Sequence, residues 1–107
     1  MEIKDLTRKM HEFVNSKGWN ALESKRPQTP RNLAISLSLE ASEVLEHFQW
    51  QGELKEKDDL AGELADVTLY LLQLASVLGI DLEQAVIKKL EANSGRDWDM
   101  DQPKVER

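Results

Sequence analysis

The sequence predicts an all-α fold, a four-helix bundle, and three observations support this prediction. Apolar residues recur at intervals of three and four along four segments, which is the period of an amphipathic helix. Stretches that contain proline or glycine separate these segments, and both residues commonly end helices. No alternating apolar and polar run bounded by turn residues indicates a strand. The 107 residues most simply form one domain.

The first two helices are separated by a polar loop. The first is expected over about 2–17, ending at Gly18, with one apolar face formed by Ile3, Leu6, Met10, Phe13 and Val14. The following segment, "WNALESKRPQTPRN", contains two prolines and reads as a loop. Thr29 then offers a hydroxyl cap and Pro30 a favourable first residue, so the second helix is expected over about 31–50.

The third and fourth helices follow a charged connector. The third is expected over about 58–78, with an inward stripe of Leu60, Leu64, Val67, Leu71, Leu74 and Leu78. Gly79 ends it, Asp81 caps the fourth helix over about 82–94, and Gln84 occupies the capping-box position. Such a short turn makes these two helices antiparallel neighbours. Leu69 and Leu72 lie away from the inward stripe, which predicts cover by a second subunit.

Two pairs of acidic residues border the apolar faces of the second and third helices. Glu40 and Glu43, in "LEASEV", and Glu63 and Asp66, in "GELADV", are each three residues apart. On a helical wheel the first acid of each pair borders the apolar stripe, and the second lies about 60° further out. Glu46 points away from the stripe and fits a solvated face. The two helices therefore repeat one arrangement of acids.

Acids at the edge of a core need a partner or a cation, because an isolated buried charge is costly. Four converging carboxylates would also raise some of their pKa values. Mg²⁺, or Mn²⁺ as a substitute, relieves both effects and is commonly shared between carboxylates and substrate phosphates. The absence of cysteine and the presence of only His11 and His47 argue against zinc. The alternative is that each pair is a solvated or salt-bridged face, and the residues alone leave both interpretations open.

Composition excludes several classes of protein. The net charge of −6, from 20 acids and 14 bases, argues against broad binding to nucleic acid or anionic membrane, though a local basic pocket for a phosphate remains compatible. The absence of cysteine excludes disulfides and cysteine nucleophiles. The opening "MEIKDLTRKMHEF" lacks the apolar core of a signal peptide, and no apolar run approaches the roughly 20 residues of a membrane span. We therefore expect a cytoplasmic protein with no membrane partner.

The acidic motifs resemble the signature of the MazG-like nucleoside triphosphate pyrophosphohydrolases. That signature is E-x-x-E, a spacer, then E-x-x-D, and here it reads "EASEVLEHFQW" followed by "ELADVTLYLL". "GWN", "PRNLAISLSL" and "AVIKKLEANSGRDW" also resemble the single-domain, dCTP-hydrolysing branch, so the resemblance spans about 3–98. Leu39 and Ser42 stand where relatives often carry glycine. The longer loop "ESKRPQT" lies where base selectivity could be set, which leaves the substrate more open than the chemistry.

The resemblance implies a catalytic metal site. In the family, four acids hold Mg²⁺ at the triphosphate, which here are Glu40, Glu43, Glu63 and Asp66. Water attacks the α-phosphorus, and nucleoside monophosphate and pyrophosphate are released. One glutamate of the first pair would orient or deprotonate that water. The implied role is the removal of excess or modified dNTPs from the nucleotide pool.

The resemblance also implies a set of substrate-binding residues. Lys89, Asn93 and Arg96 would contact the phosphates, although the two cations could instead only offset the dipole at a helix C-terminus. Trp19, Trp50 and Tyr70 would surround the base, and Asn20 would read its edge. Simple core packing is the alternative for each tryptophan.

At the level of the molecule, the resemblance implies a four-helix all-α pyrophosphatase bundle completed by oligomerisation, as a homodimer or homotetramer. The active site would then draw residues from both chains. We expect the domain over 1–98 and a polar tail over 99–107. Two other functions stay open: a different triphosphate or phosphoribosyl-nucleotide substrate, and a non-catalytic helical oligomeric protein whose acidic cluster is solvated or binds a regulatory cation.

Overall fold

A computed structural model of the protein describes residues 1–50 and 56–95, and these residues form four helices and no strand. The helices are α1 (Ile3–Ser16), α2 (Pro30–Glu46), α3 (Lys57–Val77) and α4 (Leu82–Ser94). The all-α prediction is therefore confirmed. The predicted domain boundary at residue 98 and the tail over 99–107 lie outside the described residues and stay predictions.

The ends of α2 and α4 show why these helices begin where the sequence predicts. The Thr29 hydroxyl accepts a hydrogen bond from the Asn32 amide at 3.2 Å, and Pro30 follows at the first helical position. The Asp81 carboxylate accepts one from the Gln84 amide at 3.1 Å. At its other end α2 stops four residues earlier than expected, since residues 47–49 bond three residues back rather than four.

Two glycines turn the chain sharply after α1 and after α3. Gly18 and Gly79 both adopt φ +70°, the left-handed region that residues with a Cβ rarely enter. The amide after each glycine then bonds five residues back: Trp19 to the Val14 carbonyl at 3.3 Å, and Ile80 to the Ala75 carbonyl at 2.8 Å. The first of these turns folds Trp19 back onto its own helix.

The core lies where α3 packs against α1 and α2. Met10 and Val14 of α1 form a buried cluster with Leu72 of α3, and Trp19 and Leu82 pack against it. Leu33 of α2 is the most deeply buried large side chain among the described residues, at 2% exposure. Helix α3 thus packs against a helix on each of two sides, and this packing fixes the positions of its acids.

The predicted inward stripe of α3 is wrong in part. Leu64 and Leu78 are 49% and 52% exposed, whereas the buried residues of α3 are Leu72, Gln73 and Ala75. The reason is that α1 covers a side of α3 that the stripe treated as outward. Leu72 accordingly needs no second subunit for cover.

Helix α3 also meets the length and composition criterion for a membrane span, with a mean hydropathy of 1.3 over its most apolar window. The expectation that no segment approaches such a span therefore fails on length and composition. Core helices of soluble proteins meet the same criterion, and one face of α3 packs against α1 and α2.

Candidate active site

The acids of α2 and α3 come together where the two helices pack. Glu40, Glu43 and Glu63 each offer one carboxylate oxygen, and these three oxygens lie within 4.8 Å of one another. Spacing of three residues keeps the two α2 acids on one flank of the helix. Asp66 lies one turn beyond Glu63, and its negative charge acts on both Glu40 and Glu63.

The acids of this cluster are short of stabilising partners. The Oε2 atoms of Glu40 and Glu63 are buried, and neither has a hydrogen-bond partner among the residues described. The ion pairs found among the described residues join Lys4 to Glu2 and Arg8 to Asp5, in the first half of α1 and just before it. Within residues 1–50 and 56–95, the cluster therefore holds concentrated negative charge with no neutralising side chain in ion-pair contact.

This environment shifts the protonation of two of the acids. Burial first, and then the neighbouring Glu43, Asp66 and Glu63 carboxyls, raise the pKa of Glu40 to about 7. Contact with the Glu43 carboxyl first, and then burial, raise the pKa of Glu63. A bound cation would favour the ionised form of both carboxyl groups and so oppose the rise in their pKa values.

The cluster fits a hard divalent cation. Its ligand atoms are all carboxylate oxygens, which Mg²⁺ and Mn²⁺ favour over softer metals. The two buried, unpartnered oxygens would gain a partner on binding such an ion. His11 is engaged elsewhere, since its Nε2 is 2.7 Å from the Ser76 hydroxyl. The residues present thus match the predicted type of metal.

A cavity of about 740 Å³ opens beside the cluster. Glu40 and Asp66 line it together with side chains of α1, α2, α3 and the loop before α2. Its walls are mainly apolar, with cationic side chains from Lys9, Lys25 and Arg26. An apolar cavity of this size with a few polar groups and perturbed carboxyls is typical of a small-molecule site.

Aromatic residues line the same cavity. Trp19 is held there by the turn at Gly18, and its ring meets the Phe13 ring edge-on with centroids 5.5 Å apart. The Arg26 guanidinium lies 5.6 Å from the Trp19 ring centroid. Tyr70 lines the cavity from α3. Trp19 and Tyr70 therefore share one cavity with Glu40 and Asp66, and their flat faces suit a nucleobase.

Two other predicted base-binding residues lie outside this cavity. The Asn20 side chain is exposed and its Nδ2 donates to the side-chain Oδ1 of Asn15 at 2.7 Å, at the end of α1. Trp50 is 86% exposed and does not line the cavity. Their roles in base binding stay predictions.

The predicted phosphate-binding residues are on or after α4. Lys89 is exposed, Asn93 is partly buried, and neither lines the cavity of this chain. Arg96 lies outside the described residues. The cations that do line the cavity come instead from α1 and from the loop before α2. The phosphate-binding roles of these three residues also stay predictions.

Sequence reasoning missed several polar residues of the cavity, among them Gln28 and Gln73. Gln73 is 5% exposed, the only polar residue among the buried side chains described, and its amide donates to the Gln28 side-chain oxygen. The sequence contained a feature that could have indicated each of these two residues. Gln28 belongs to the loop singled out for base selectivity, and Gln73 interrupts the leucine run "LYLLQLASV" where a polar residue needs a reason.

Comparison with known proteins identifies the family of this chain. The sequence profile of the MazG-like family matches residues 35–104. A pyrophosphatase from Archaeoglobus fulgidus has a similar crystal structure, with a TM-score of 0.71 and 37% identity over 85% of this chain and 87% of that one. The chain belongs to the MazG-like family.

Curated relatives include mammalian enzymes. The chain is 35% identical to dCTP pyrophosphatase 1 of Mus musculus and 34% identical to that of Homo sapiens, over 88% of its own length in both cases. It spans 58% of the length of each of these relatives.

Proposed function

We propose that the protein is a divalent-cation-dependent nucleoside triphosphate pyrophosphohydrolase acting on dNTPs, with dCTP or its modified forms as the preferred substrates. The observation that carries this proposal is the cluster of Glu40, Glu43 and Glu63 beside an apolar, aromatic-lined cavity, which Glu40 itself lines. Membership of the MazG-like family and the names of the relatives, pyrophosphatase and dCTP pyrophosphatase, support the same activity.

In this proposal the acids hold Mg²⁺ against the triphosphate, with Mn²⁺ as a substitute. The bound ion would neutralise charge on the phosphate oxygens and so favour attack by water. Glu40, Glu43 and Glu63 supply the three clustered oxygens, and Asp66 adds a fourth carboxylate one turn away. The orphaned Oε2 atoms of Glu40 and Glu63 are the observation that supports the metal.

The reaction proposed is hydrolysis at the α-phosphorus. The water oxygen forms a bond to that phosphorus, the bond to the α–β bridging oxygen breaks, and pyrophosphate leaves with the electron pair. Glu40 or Glu43 accepts the proton from the attacking water and so acts as the general base. The products are a nucleoside monophosphate and pyrophosphate, so the reaction would remove excess or modified dNTPs from the nucleotide pool.

The rest of the cavity would bind the nucleoside. Trp19 and Tyr70 offer aromatic faces to the base, and Lys9, Lys25 and Arg26 add positive charge to an otherwise acidic chain. Apolar walls exclude water from the base, which strengthens the few polar contacts made there.

We further propose that the protein is a homo-oligomer, a dimer or a tetramer. Helix α4 has no buried residue, and its apolar side chains are left on the surface: Val86 at 47%, Ile87 at 40% and Leu90 at 61% exposure. Lys89, Asn93 and Arg96, on or just after this helix, would then reach the phosphates in the cavity of a second copy.

The direct test is product analysis. The protein is incubated with canonical and 5-modified dNTPs and NTPs, in Mg²⁺ and in EDTA, and the products are separated by anion exchange. The proposal expects equal amounts of monophosphate and pyrophosphate, in Mg²⁺ alone, with dCTP or a modified form the best substrate. Release of orthophosphate and diphosphate, or turnover undiminished in EDTA, would contradict it.

A further inference from the structure

Four residues of α3 line the same cavity, and the three with polar side chains form a regular series. Asp66, Tyr70 and Gln73 are spaced at i, i+4 and i+7, which is one face of a helix. Gln73 lies about 10 Å along the helix axis from Asp66, from seven residues at 1.5 Å each. That span is of the order of the distance from the phosphate of a nucleotide to the far edge of its base. The face therefore runs from the acid cluster to where a base edge would lie.

The amide of Gln73 is oriented by two hydrogen bonds in series, one from Gln73 to Gln28 and one from Gln28 to Arg26. The backbone carbonyl of Arg26 can only accept, so the Gln28 atom that contacts it at 2.6 Å is the donor Nε2. The Gln28 Oε1 atom is then left to accept from Gln73 Nε2. This leaves Gln73 Oε1 as the acceptor of that side chain, and no residue in the described part of the chain donates to it.

We propose that Gln73 selects substrates whose base carries an exocyclic amino group, and that Gln28 is the residue that positions it. This inference rests on the proposed function for the triphosphate, and it adds the class of base. An amino group such as the N4 of cytosine donates to Gln73 Oε1. The O4 of uracil or thymine would instead face that oxygen acceptor to acceptor, with both groups removed from water.

Burial makes this discrimination effective. Gln73 is 5% exposed, so water cannot easily replace a hydrogen bond that a substrate fails to make. A free glutamine amide can rotate to offer either its oxygen or its nitrogen. The hydrogen bond from Gln28 to the Arg26 carbonyl prevents this rotation in Gln28, and therefore in the Gln73 amide bonded to it. Because Gln28 holds its amide, Gln73 presents Oε1 as a fixed acceptor, which is what separation of cytosine from uracil needs.

The test compares dCTP with dUTP, which differ at the base edge in question. We measure kcat/KM for both in Mg²⁺ with wild type, Gln73→Met and Gln28→Met, and with Gln84→Met as the matched control on the exposed face of α4. Methionine keeps the length of the side chain and removes its polar atoms. Circular dichroism checks the fold, and Gln28→Met, in the loop, keeps the test valid if the core variant unfolds.

We expect wild type to have a higher kcat/KM for dCTP than for dUTP. Gln73→Met should lower the ratio of these two values about tenfold, because one hydrogen bond to dCTP is lost and one repulsion with dUTP is relieved. Gln28→Met should lower the ratio in the same direction, partly by raising the rate with dUTP, because Gln73 becomes free to turn. A merely structural role for Gln28 would slow both substrates equally. Gln84→Met should leave the ratio unchanged.

A binding measurement separates failure of this inference from failure of the proposed function. Calorimetry with dCMP and dUMP in EDTA reports base preference without catalysis. Absent hydrolysis combined with a dCMP preference that Gln73→Met abolishes would overturn the proposed function and uphold the inference. Metal-dependent hydrolysis with no preference for the amino-bearing base in wild type, or with a preference that both variants retain, would overturn the inference alone.

Discussion

Glu40 binds its proton more tightly than an ordinary glutamate, because its carboxyl group is partly buried beside other carboxyls. Its pKa rises from 4.5 to about 7 in the folded chain, and the pKa of Glu63 moves in the same direction. Between these two values the folded state binds more protons than the unfolded state. Raising the pH across this window therefore lowers the free energy of unfolding, and above about 7 the loss is complete.

A first prediction follows for the stability of the metal-free protein. In EDTA, Glu40→Gln should raise the melting temperature at a pH above about 7, because it removes one of the mutually repelling charges. Mg²⁺ should raise the melting temperature of wild type, increasingly as the pH rises from about 5 to 8, because protons and metal compete for the same oxygens. The same variant should lose most of this stabilisation by metal.

Glu46→Gln supplies the control for that experiment. Glu46 is exposed on the same helix, so its loss removes an equal charge outside the cluster. Scanning calorimetry at several pH values measures both variants. Equal behaviour of the two would mean that Glu40 takes no part in a coupled acidic site.

At the scale of the helix, the position of the acids of α2 depends on how that helix begins. Thr29 caps it, and the acids follow about three to four turns later. We predict that Thr29→Ala lowers the free energy of unfolding by about 1 kcal/mol, the usual cost of a lost cap. Ser42→Ala, which removes a hydroxyl within the same helix, should change it far less. Urea denaturation compares the two variants.

Local signals explain which elements the sequence could predict. Thr29 and Pro30, and Asp81 with Gln84, mark helix starts through bonds within four residues, and all of these appear in the structure. The acidic pairs were recognisable because their spacing is also local. Which side chains lie between helices was harder to predict: Leu64 was expected inside and is 49% exposed.

The cavity shows the same limit. The pairing of Gln28 with Gln73 joins residues 45 apart in sequence, so no periodicity within a helix could reveal it. Trp19 was singled out as an aromatic, but its position in the cavity depends on the left-handed turn at Gly18 and on Phe13 beneath it. Contacts between elements set by packing thus remain the part that a single sequence leaves open.

At the scale of the whole molecule, exposed apolar side chains are the feature that remains to be explained. Leu90 of α4 is 61% exposed, and Val86 lies one turn before it on the same face. We predict that Leu90→Lys lowers the molar mass measured by light scattering after size exclusion, since a buried interface cannot accept an unpaired charge. Leu22→Lys should not lower it, because Leu22 is already fully exposed in the loop between α1 and α2. A wild-type mass of one chain would contradict the proposed oligomer.

The central claim is that the acids contributed by α2 and α3 hold the cation on which hydrolysis depends. The measurement that tests it most directly is Mg²⁺-dependent pyrophosphate release by wild type, Glu63→Gln and Glu46→Gln, each shown to be folded by circular dichroism. We predict that Glu63→Gln lowers turnover by about 100-fold or more, because a charged ligand is lost, while Glu46→Gln stays near wild type. Turnover by Glu63→Gln equal to that of Glu46→Gln would contradict the account.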